Sequence, residues 1–330
     1  MVLIVPTQLR IATFNLENLD DKPGAKPTLA ERIAVLRPQL LRIRADVLCL
    51  QEVNGQEPGG GAPRTLAALD TLLAGTPYAG YHRAHTKTQA GPPYDERNLV
   101  VLSRFPVLAS EQLKNTQGGP QYRKVTANPP EAAAKDITWE RPILYAKLTV
   151  GARTLHTLVL HMKSKLPTDI DGQKKDTYTW RTASGWAEGF FLSSMKRVGQ
   201  ALEVRMLVDT IFDAEPDAWI AVCGDFNADS DEVPVTTIRG PVEETGNPEL
   251  VGRVLVPCEA TIPEPARYSL FHLGKGNMLD HVLVSRPLLA YYRGAEIHNE
   301  VLPDESGAFR TDLKFPESDH APVVAEFEVG

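Results

Sequence analysis

The sequence predicts one α/β domain, and two observations lead to this prediction. Short apolar strands alternate with segments of helical periodicity, and nearly every predicted strand is flanked by Asn, Asp, Glu or His. The chain has 330 residues, 42% hydrophobic and 23% charged, which is enough for an ordinary hydrophobic core. Because no repeat or linker divides it, residues 1–330 are expected to form a single domain.

The first half of the chain reads as strand, helix, strand, helix and strand. Strands are predicted at 10–14, 46–50 and 98–103, where apolar and β-branched residues follow one another. Leu29, Ile33, Leu36 and Leu40 recur at helical spacing, which predicts a helix from Thr28 to about Ala45 with Thr28 as its N-cap. A second helix is expected over 65–74, after a glycine- and proline-rich loop at 55–63.

The second half begins with a polar, proline-rich loop at 114–135. Strands at 143–150 and 154–161 flank Gly151-Ala152 and predict a hairpin. A long loop is expected at 163–189 and a helix at about 190–212. The remaining predicted strands are 219–223, 280–285 and 322–329.

Composition restricts the cellular setting and the partners. No apolar run approaches the roughly 18 residues that span a bilayer, and Met1 to Pro6 lacks the features of a secretion signal, so a cytoplasmic protein is expected. Cys49, Cys223 and Cys258 are too far apart for a CxxC-type metal site, and the first two lie in apolar strands where buried, inert thiols are expected.

The charge is unevenly distributed along the chain. The net charge is −7, from 35 basic and 42 acidic residues. Residues 114–197 contain 14 Lys or Arg and 7 Asp or Glu, a net +7, so the rest carries −14. The middle of the chain is therefore predicted to face a polyanion.

Polar residues next to the predicted strands form the candidate site. Each alone is typical of a turn, but six strand ends that carry oxygen or imidazole ligands predict a shared pocket. The residues are Asn15, Glu52, His161, Asp225 with Asn227, Asp280, and Asp319 with His320.

This set suits the hydrolysis of a phosphodiester, which needs a hard cation, a group that orients water and donors for the anionic phosphorus centre. Asn15, Glu52 and Asp319 are the predicted ligands of Mg²⁺, with Mn²⁺ as an alternative. Asp225 is predicted to orient the water. Asn227, His161 and His320 are assigned to the phosphate, and Asp280 is expected to fix the tautomer of a histidine.

The motifs around these residues resemble those of the endonuclease/exonuclease/phosphatase superfamily, the deoxyribonuclease-I-like fold, and are closest in style to its bacterial nuclease-like members. They occur in the family's order between residues 10 and 328: Thr13-Phe-Asn-Leu-Glu-Asn-Leu19, Asp46-Val-Leu-Cys-Leu-Gln-Glu52, Val222-Cys-Gly-Asp-Phe-Asn227, Leu279-Asp-His-Val-Leu-Val-Ser285 and Ser318-Asp-His-Ala-Pro-Val323.

The resemblance implies two packed mixed β-sheets flanked by helices, a four-layer α/β sandwich with a divalent-metal site at one edge. It gives Glu52, Asn15, Asp225, Asn227, Asp280, Asp319 and His320 the same roles as the residue chemistry, and leaves open whether Asp225 or His320 is the general base. His161 resembles the family's phosphate-contacting histidine. Arg97 resembles an arginine near the site and is added to the set.

A nuclease acting on DNA or RNA fits the basic middle region best, with further phosphate contacts from Lys163, Lys165, Lys174, Lys175 and Arg181. Four alternatives remain: a phosphatase, a sphingomyelinase-like phospholipase that uses Trp186 and Phe190-Phe191, a catalytically dead binding module, and a zinc hydrolase built on His82 and His85 in a loop. An inositol-polyphosphate phosphatase is disfavoured, because Asn277-Met-Leu-Asp280 lacks the tryptophan and cysteine of those enzymes.

Two geometric expectations follow from the strand assignments. If Asp225, Phe226 and Asn227 continue the strand, alternation places the two polar side chains on one face and Phe226 on the other. Asp280 and His320 are expected to form a pair, with His281 turned away into the structure.

Overall fold

The computed structural model describes residues 7–307 and 314–330. The prediction of no secretion signal depends on residues 1–6, which lie outside this range. Among the described helices, none combines the length and hydrophobicity needed to cross a bilayer.

Two six-stranded mixed sheets form the centre of the fold, as predicted. In the first sheet β1 pairs in parallel with β2, and the other pairings are antiparallel. In spatial order its strands are β15 (Tyr292–Ile297), β16 (Val323–Val329), β1 (Thr7–Leu19), β2 (Val47–Val53), β4 (Asn98–Ser103) and β3 (His82–His85).

The second sheet repeats this plan, because β9 and β10 pair in parallel and the other strands are antiparallel. Its order is β11 (Leu255–Pro257), β14 (Asp280–Ser285), β10 (Trp219–Asp225), β9 (Arg153–His161), β8 (Ile143–Val150) and β5 (Val107–Leu113). Two short ribbons complete the strands: β6 (Gln121–Tyr122) with β7 (Lys135–Asp136), and β12 (Leu270–His272) with β13 (Lys275–Asn277).

Helices cover the outer face of each sheet. They are α1 (Leu29–Ile43), α2 (Ala67–Leu73), α3 (Ala183–Ala214), α4 (Val233–Arg239), α5 (Val242–Thr245) and α6 (Arg286–Leu289). Thr28 caps α1 through a capping box with Glu31, as its position before the periodic residues predicts.

Alternation along the strands builds the four layers. Ile11 and Cys49 of the first sheet pack against Val159 and Cys223 of the second. Outward-facing residues of the first sheet, such as Phe14, pack against α1 and α2, and those of the second pack against α3. All three cysteines are free and buried, as expected for Cys49 and Cys223.

Helix α3 begins seven residues earlier than the sequence suggested, so the predicted loop at 163–189 is too long. Thr182 caps it, accepting a hydrogen bond from the Gly185 amide at 2.9 Å. Gly185 and Gly189 favour the prediction of a loop, because glycine is unfavourable in helices. In the structure both lie in the helix, where each is in close contact with another segment of the chain. A Cβ at Gly189 would lie 2.9 Å from Trp180.

His82 and His85 were expected in a loop but belong to β3. This strand pairs with β4 at the edge of the first sheet. The two histidines therefore have a structural explanation, and in the described residues they form no cluster of metal ligands.

The first half of α3 projects beyond the edge of the second sheet. Gln200 donates to the Arg141 carbonyl at 3.0 Å, and Arg141 donates to the His161 carbonyl at 3.2 Å, so Gln200 is level with the end of β9. Residues 183–199 extend past this level by about 25 Å at about 1.5 Å per residue. We call residues 114–139 and 163–199 the lobe.

Two buried glutamates of α3 fasten the lobe. Glu188 accepts hydrogen bonds from the Tyr122 hydroxyl at 2.9 Å and from the Thr126 amide at 2.9 Å. Glu203 accepts from the Thr116 amide at 2.6 Å and from Trp139 Nε1 at 2.8 Å. Charge-assisted hydrogen bonds of this kind hold the loop 114–139 rigidly against the helix.

Gly224 is required where β10 approaches β9. Its φ is 142°, and a Cβ there would lie 2.1 Å from the Leu160 carbonyl oxygen. We expect Gly224→Ala to lower the free energy of unfolding by about 3 kcal/mol or more, because one of two central strands must move. Urea denaturation measures this loss.

Gly151→Ala is the matched control. Gly151 also has positive φ, 59°, but no heavy atom would lie within 4 Å of its Cβ. Gly151→Ala should lower the free energy of unfolding by about 1–2 kcal/mol, which is the cost of placing a side chain at positive φ. Equal losses at the two positions would show that the close approach of the strands is not what requires Gly224.

Candidate active site

Eight of the predicted residues meet at one edge of the sandwich: seven at strand ends, and Asn227 in the turn after β10. β1 and β2 end there, as do β9 and β10, while β14 and β16 begin there. Asn15, Glu52, Asp319 and His320 come from the first sheet, and His161, Asp225 and Asp280 come from the second. The candidate site therefore spans both sheets.

Asn15 and Asp225 join the two sheets directly. Asn15 Nδ2 donates to Asp225 Oδ2 at 3.1 Å, and Asn15 Oδ1 accepts from the Glu17 amide at 2.9 Å. His161 Nε2 lies 3.4 Å from both Glu52 Oε1 and Asp225 Oδ2. The amide of Asn15 thus has hydrogen-bond partners on both atoms, and its predicted role as a metal ligand stays a prediction.

Asp225 and Asn227 share the pocket, but not through strand alternation. β10 ends at Asp225, and Asn227 has a left-handed φ of 49°. The Asn227 amide donates to Asp225 Oδ1 at 2.8 Å, and its Nδ2 donates to Asp225 Oδ2 at 3.1 Å. Phe226 is fully buried. The alternation of polar and apolar residues in this segment is typical of a strand. In the structure a tight turn brings the two polar side chains together.

Asp280 and His320 form a close pair, with His320 Nδ1 2.6 Å from Asp280 Oδ2. Ser269 Oγ also donates to Asp280 Oδ2, at 2.7 Å. His320 Nε2 points into the pocket, 3.9 Å from Asp225 Oδ2. Burial alone would lower the pKa of His320, but the carboxylates of Asp280 and Asp225 raise it well above the usual value, which favours the protonated ring.

His281 is turned away from this pocket. It is fully buried, with Nδ1 2.6 Å from Glu259 Oε1 and Nε2 2.9 Å from the Ala228 carbonyl. Both ring nitrogens are therefore occupied by structural partners.

His161 is the neutral counterpart of His320. Complete burial and the nearby guanidinium of Arg141 lower its pKa well below the usual value. Arg141 is itself buried and donates to the carbonyls of His161 and Met162 at 3.2 and 3.1 Å. Two histidines whose environments drive their pKa values apart are typical of sites with divided acid and base roles.

Arg97 lies at the mouth of the site rather than inside it. Its backbone amide donates to Asn54 Oδ1 at 2.9 Å, and its exposed guanidinium lies 3.4 Å from Asn18 Oδ1. In the described residues no carboxylate pairs with this guanidinium. A substrate anion is therefore a suitable partner for Arg97.

Glu17 is a site residue that the sequence reasoning missed. Its Oε2 accepts from the Asp319 amide at 3.2 Å, and burial raises its pKa. The signal was available, because Glu17 is two residues after Asn15 in the same motif. The predicted site includes Asn15 from this motif but not Glu17.

Backbone strain is concentrated at the site. Eight non-glycine residues in the described ranges have positive φ, and five of them surround the pocket. Such conformations cost of order 1–3 kcal/mol each and persist where the surrounding structure enforces them. The five are Glu17, Asn18, Glu52, Arg97 and Asn227.

The acidic residues of the pocket fit a divalent cation. Burial raises the pKa of Asp225 to about 7 and that of Asp319 to about 8, and neighbouring carboxylates add to both shifts. Asp319 Oδ1 is buried with no hydrogen-bond partner in the part of the chain that the structure describes. Oxygen ligands carrying excess negative charge suit a hard cation such as Mg²⁺.

A second grouping, Asp225, Asp280 and His320, has ligand atoms within 4.8 Å of one another. Asp280 Oδ2 and His320 Nδ1 lie 2.6 Å apart, so each residue uses one of its ligand atoms to bind the other. Glu52 and Asp319 stay the predicted cation ligands together with Asn15, and Glu17 lies beside Asp319. Asp280 and His320 form a hydrogen-bonded pair.

The raised pKa of Asp319 predicts how the stability of the protein depends on pH if the pocket carries an excess of negative charge. Because its pKa is about 8 in the folded protein and near 3.8 otherwise, the folded state holds the extra proton between these values and stability falls as pH rises through them. In chelator at pH 8, Asp319→Asn is expected to raise the melting temperature, and the effect should shrink as the pH is lowered towards 4.

Asp304→Asn is the control, since hydrogen bonds from Ser306 and Gly274 lower the pKa of Asp304 to about 2. This variant should not be stabilised at pH 8. Addition of Mg²⁺ at pH 8 should raise the melting temperature of the unmodified protein and not that of Asp319→Asn. If Asp319→Asn is less stable than the unmodified protein in chelator at pH 8, the pocket does not carry an excess of negative charge that destabilises the fold.

Known proteins share the family pattern and the fold of this chain. A family model described as the Endonuclease/Exonuclease/phosphatase family matches residues 12–320. Among curated proteins, no sequence is significantly similar to this chain.

Solved structures share the fold at low sequence identity. A truncated TDP2 from Caenorhabditis elegans is 17% identical, with a TM-score of 0.56 over 98% of this chain and 98% of that chain. An endonuclease/exonuclease/phosphatase family protein from Bacteroides thetaiotaomicron is 15% identical, with a TM-score of 0.58 over 98% and 96%. TDP2 from D. rerio, complexed with single strand DNA product, is 18% identical, with a TM-score of 0.54 over 97% and 99%.

Proposed function

Because this chain belongs to the endonuclease/exonuclease/phosphatase family, we propose that it is a divalent-metal-dependent phosphodiester hydrolase that acts on nucleic acid. The observation that carries the proposal is the pocket around Asp225. A protonated His320, a neutral His161 and the Asn227 amide surround this carboxylate, beside a cluster of acidic residues that fits a cation.

The phosphate is expected to lie against His320, His161 and Asn227. His320, held by Asp280, supplies positive charge and a donor where negative charge develops on the phosphate. Arg97 at the mouth provides a further cationic contact. Mg²⁺ at Glu52 and Asp319 would supply Lewis-acid stabilisation of the phosphate oxygens.

We propose that Asp225 orients or deprotonates the attacking water. Its pKa of about 7 is close to the range in which general bases work best. Asn15 and Asn227 each donate to Asp225 Oδ2 at 3.1 Å, which fixes the carboxylate relative to both sheets. Since the site draws residues from both sheets, we also propose that residues 1–330 act as one domain.

Nucleic acid is the proposed substrate because the segment 114–197 has a net charge of +7, and most of this segment forms the lobe next to the site. A solved relative, TDP2 from D. rerio, is described with single strand DNA product. Neither a phosphomonoester nor a lipid headgroup requires so extended a basic surface.

A substrate panel with Mg²⁺ tests the proposal. It comprises bis(p-nitrophenyl) phosphate, p-nitrophenyl phosphate, single- and double-stranded DNA, RNA, sphingomyelin and an inositol phosphate. We expect turnover of the diester and of nucleic acid, abolished by chelator. Turnover of sphingomyelin or of the monoester alone, or of no substrate with any divalent metal, would overturn it.

A further inference from the structure

The projecting half of α3 carries an exposed aromatic pair. Trp186 and Phe190 stack with ring centroids 5.7 Å apart, although their residues are 46% and 43% exposed. Tyr178, 75% exposed, lies near the tip of the hairpin 174–180, which packs against Gly189 through Trp180. We call Tyr178, Trp186 and Phe190 the aromatic rim.

The hairpin holds Tyr178 in a defined position. A bridge pairs Lys174 with Trp180, and Asp176 Oδ1 accepts from the amides of Tyr178 and Thr179, both at 2.9 Å. An aromatic ring presented by an ordered turn loses little conformational entropy on binding.

The aromatic pair lies on the side of α3 that leads to the active site. Trp186, Phe190, Ser193 and Arg197 follow at three- and four-residue spacing and therefore share one face. Ser193 Oγ donates to the Leu166 carbonyl at 2.7 Å, and Arg197 donates to the Ser164 carbonyl at 2.8 Å. Residues 164–166 belong to the segment that leaves His161.

The surroundings of the rim are positive. The lobe contains 11 basic and 6 acidic residues, a net +5. The first turn of α3 has no acidic residue, although acidic residues are favoured at that position. A polyanion complements this charge, whereas the apolar surface of a second copy does not.

Two basic side chains beside the rim have no acidic partner. Of the predicted phosphate contacts, Lys165 pairs with Glu232 at 2.8 Å and Lys174 pairs with Asp169 at 2.5 Å. Lys175 and Arg181 are exposed, and no carboxylate of the described residues pairs with either. They flank Tyr178 in the sequence, one on each side of the hairpin tip.

We propose that the aromatic rim is a stacking platform for the bases of single-stranded nucleic acid, with Lys175 and Arg181 on its phosphates. This proposal deepens the proposed function and rests on it, since it names the substrate as single-stranded. Bases stack on aromatic side chains without regard to sequence, and interleaved basic groups track the backbone. Paired bases in a duplex offer no free faces to the rings.

The position of the rim sets a length requirement. Phe190 and Trp186 lie 7 and 11 residues from Arg197 along α3, so they are about 10 and 16 Å from it at about 1.5 Å per residue. A strand that keeps the stacked spacing of about 3.4 Å per nucleotide needs about three to five nucleotides to cover this span. A trinucleotide in the pocket should not reach both rings.

Binding is measured by fluorescence anisotropy with a labelled trinucleotide and a labelled 12-mer, in chelator and in a Glu52→Gln background that is expected to slow cleavage. Replacing Trp186 and Phe190 by alanine together is expected to weaken 12-mer binding about tenfold or more, at about fivefold per lost stacking contact. Affinity for the trinucleotide should change less than about twofold.

Phe191→Ala is the matched control, because Phe191 is 47% exposed on the same helix but faces Tyr122, with ring centroids 5.3 Å apart. It should leave 12-mer affinity unchanged. Equal loss with Phe191→Ala, no loss with the double variant, or an equal loss for duplex DNA would overturn the platform.

Sedimentation with vesicles of phosphatidylcholine and phosphatidylglycerol separates a lipid surface from nucleic acid. Rim-dependent vesicle binding without rim-dependent oligonucleotide binding would also overturn the proposal. Hydrolysis of bis(p-nitrophenyl) phosphate by the unmodified protein tests the proposed function separately, so failure of the chemistry and failure of the platform are distinguishable.

Discussion

Replacing Glu52 by glutamine is expected to lower kcat by about 10³-fold or more. Glu52 contributes a carboxylate to the acidic cluster, with Oε1 3.4 Å from His161 and Oε2 accepting from the Asn18 amide at 3.0 Å. Glutamine keeps the shape and can accept from Asn18, but it removes the charge. The fold should therefore survive while the site loses a ligand of its cation.

Hydrolysis of bis(p-nitrophenyl) phosphate measures the loss, and the melting temperature checks the fold. Glu57→Gln is the control, since Glu57 lies on an exposed loop and, within the described ranges, pairs with Arg64 alone. Its turnover should match that of the unmodified protein. Full activity of Glu52→Gln in the presence of chelator would disprove the assigned metal dependence.

His320→Ala is expected to lower kcat by about 10²–10⁴-fold, because a positioned, protonated ring is lost from the pocket. Asp280 acts through this ring: it is a positioning residue that holds Nδ1 at 2.6 Å and keeps the ring charged. Asp280→Asn should therefore lose a large part of the same effect. The double variant should be little worse than His320→Ala alone.

A double-mutant cycle on kcat distinguishes this coupling from two separate structural effects. Multiplicative losses would show that Asp280 does not act through His320. His281→Ala provides the comparison, because His281 is buried between Glu259 and Ala228 and should lose stability rather than turnover of the folded protein. If His281→Ala is as inactive as His320→Ala, the role given to His320 at the phosphate is wrong.

The positions of most site residues were predictable because they follow or precede strongly apolar strands. Glu52 and Asp225 come directly after such runs, and parallel pairing of β1 with β2 and of β9 with β10 then brings the strand ends to one edge. The pairing of Asp280 with His320 followed from the same reasoning. The two-sheet architecture came from the motif resemblance rather than from periodicity.

Features that depend on backbone turns or on polar edges were not predictable. The sequence pattern around Asn227 predicts a strand, although its φ of 49° places it in a turn. β5 is mostly exposed at the edge of its sheet, so it lacks the apolar signal of a strand. Gly185 and Gly189 hid the start of α3, because local propensity disfavours glycine in helices while tertiary contacts with Gln173 and Trp180 require it there.

The place of β16 in the first sheet makes the candidate site depend on a contact between distant parts of the chain. β16 lies between β15 and β1, and His320 comes just before its start. Thr13 of β1 pairs with Val323 of β16, so His320 reaches Asp280 only when these two strands have joined. Pairing between segments so distant in sequence is slow to form. The candidate site should therefore be assembled late in folding, together with the first sheet.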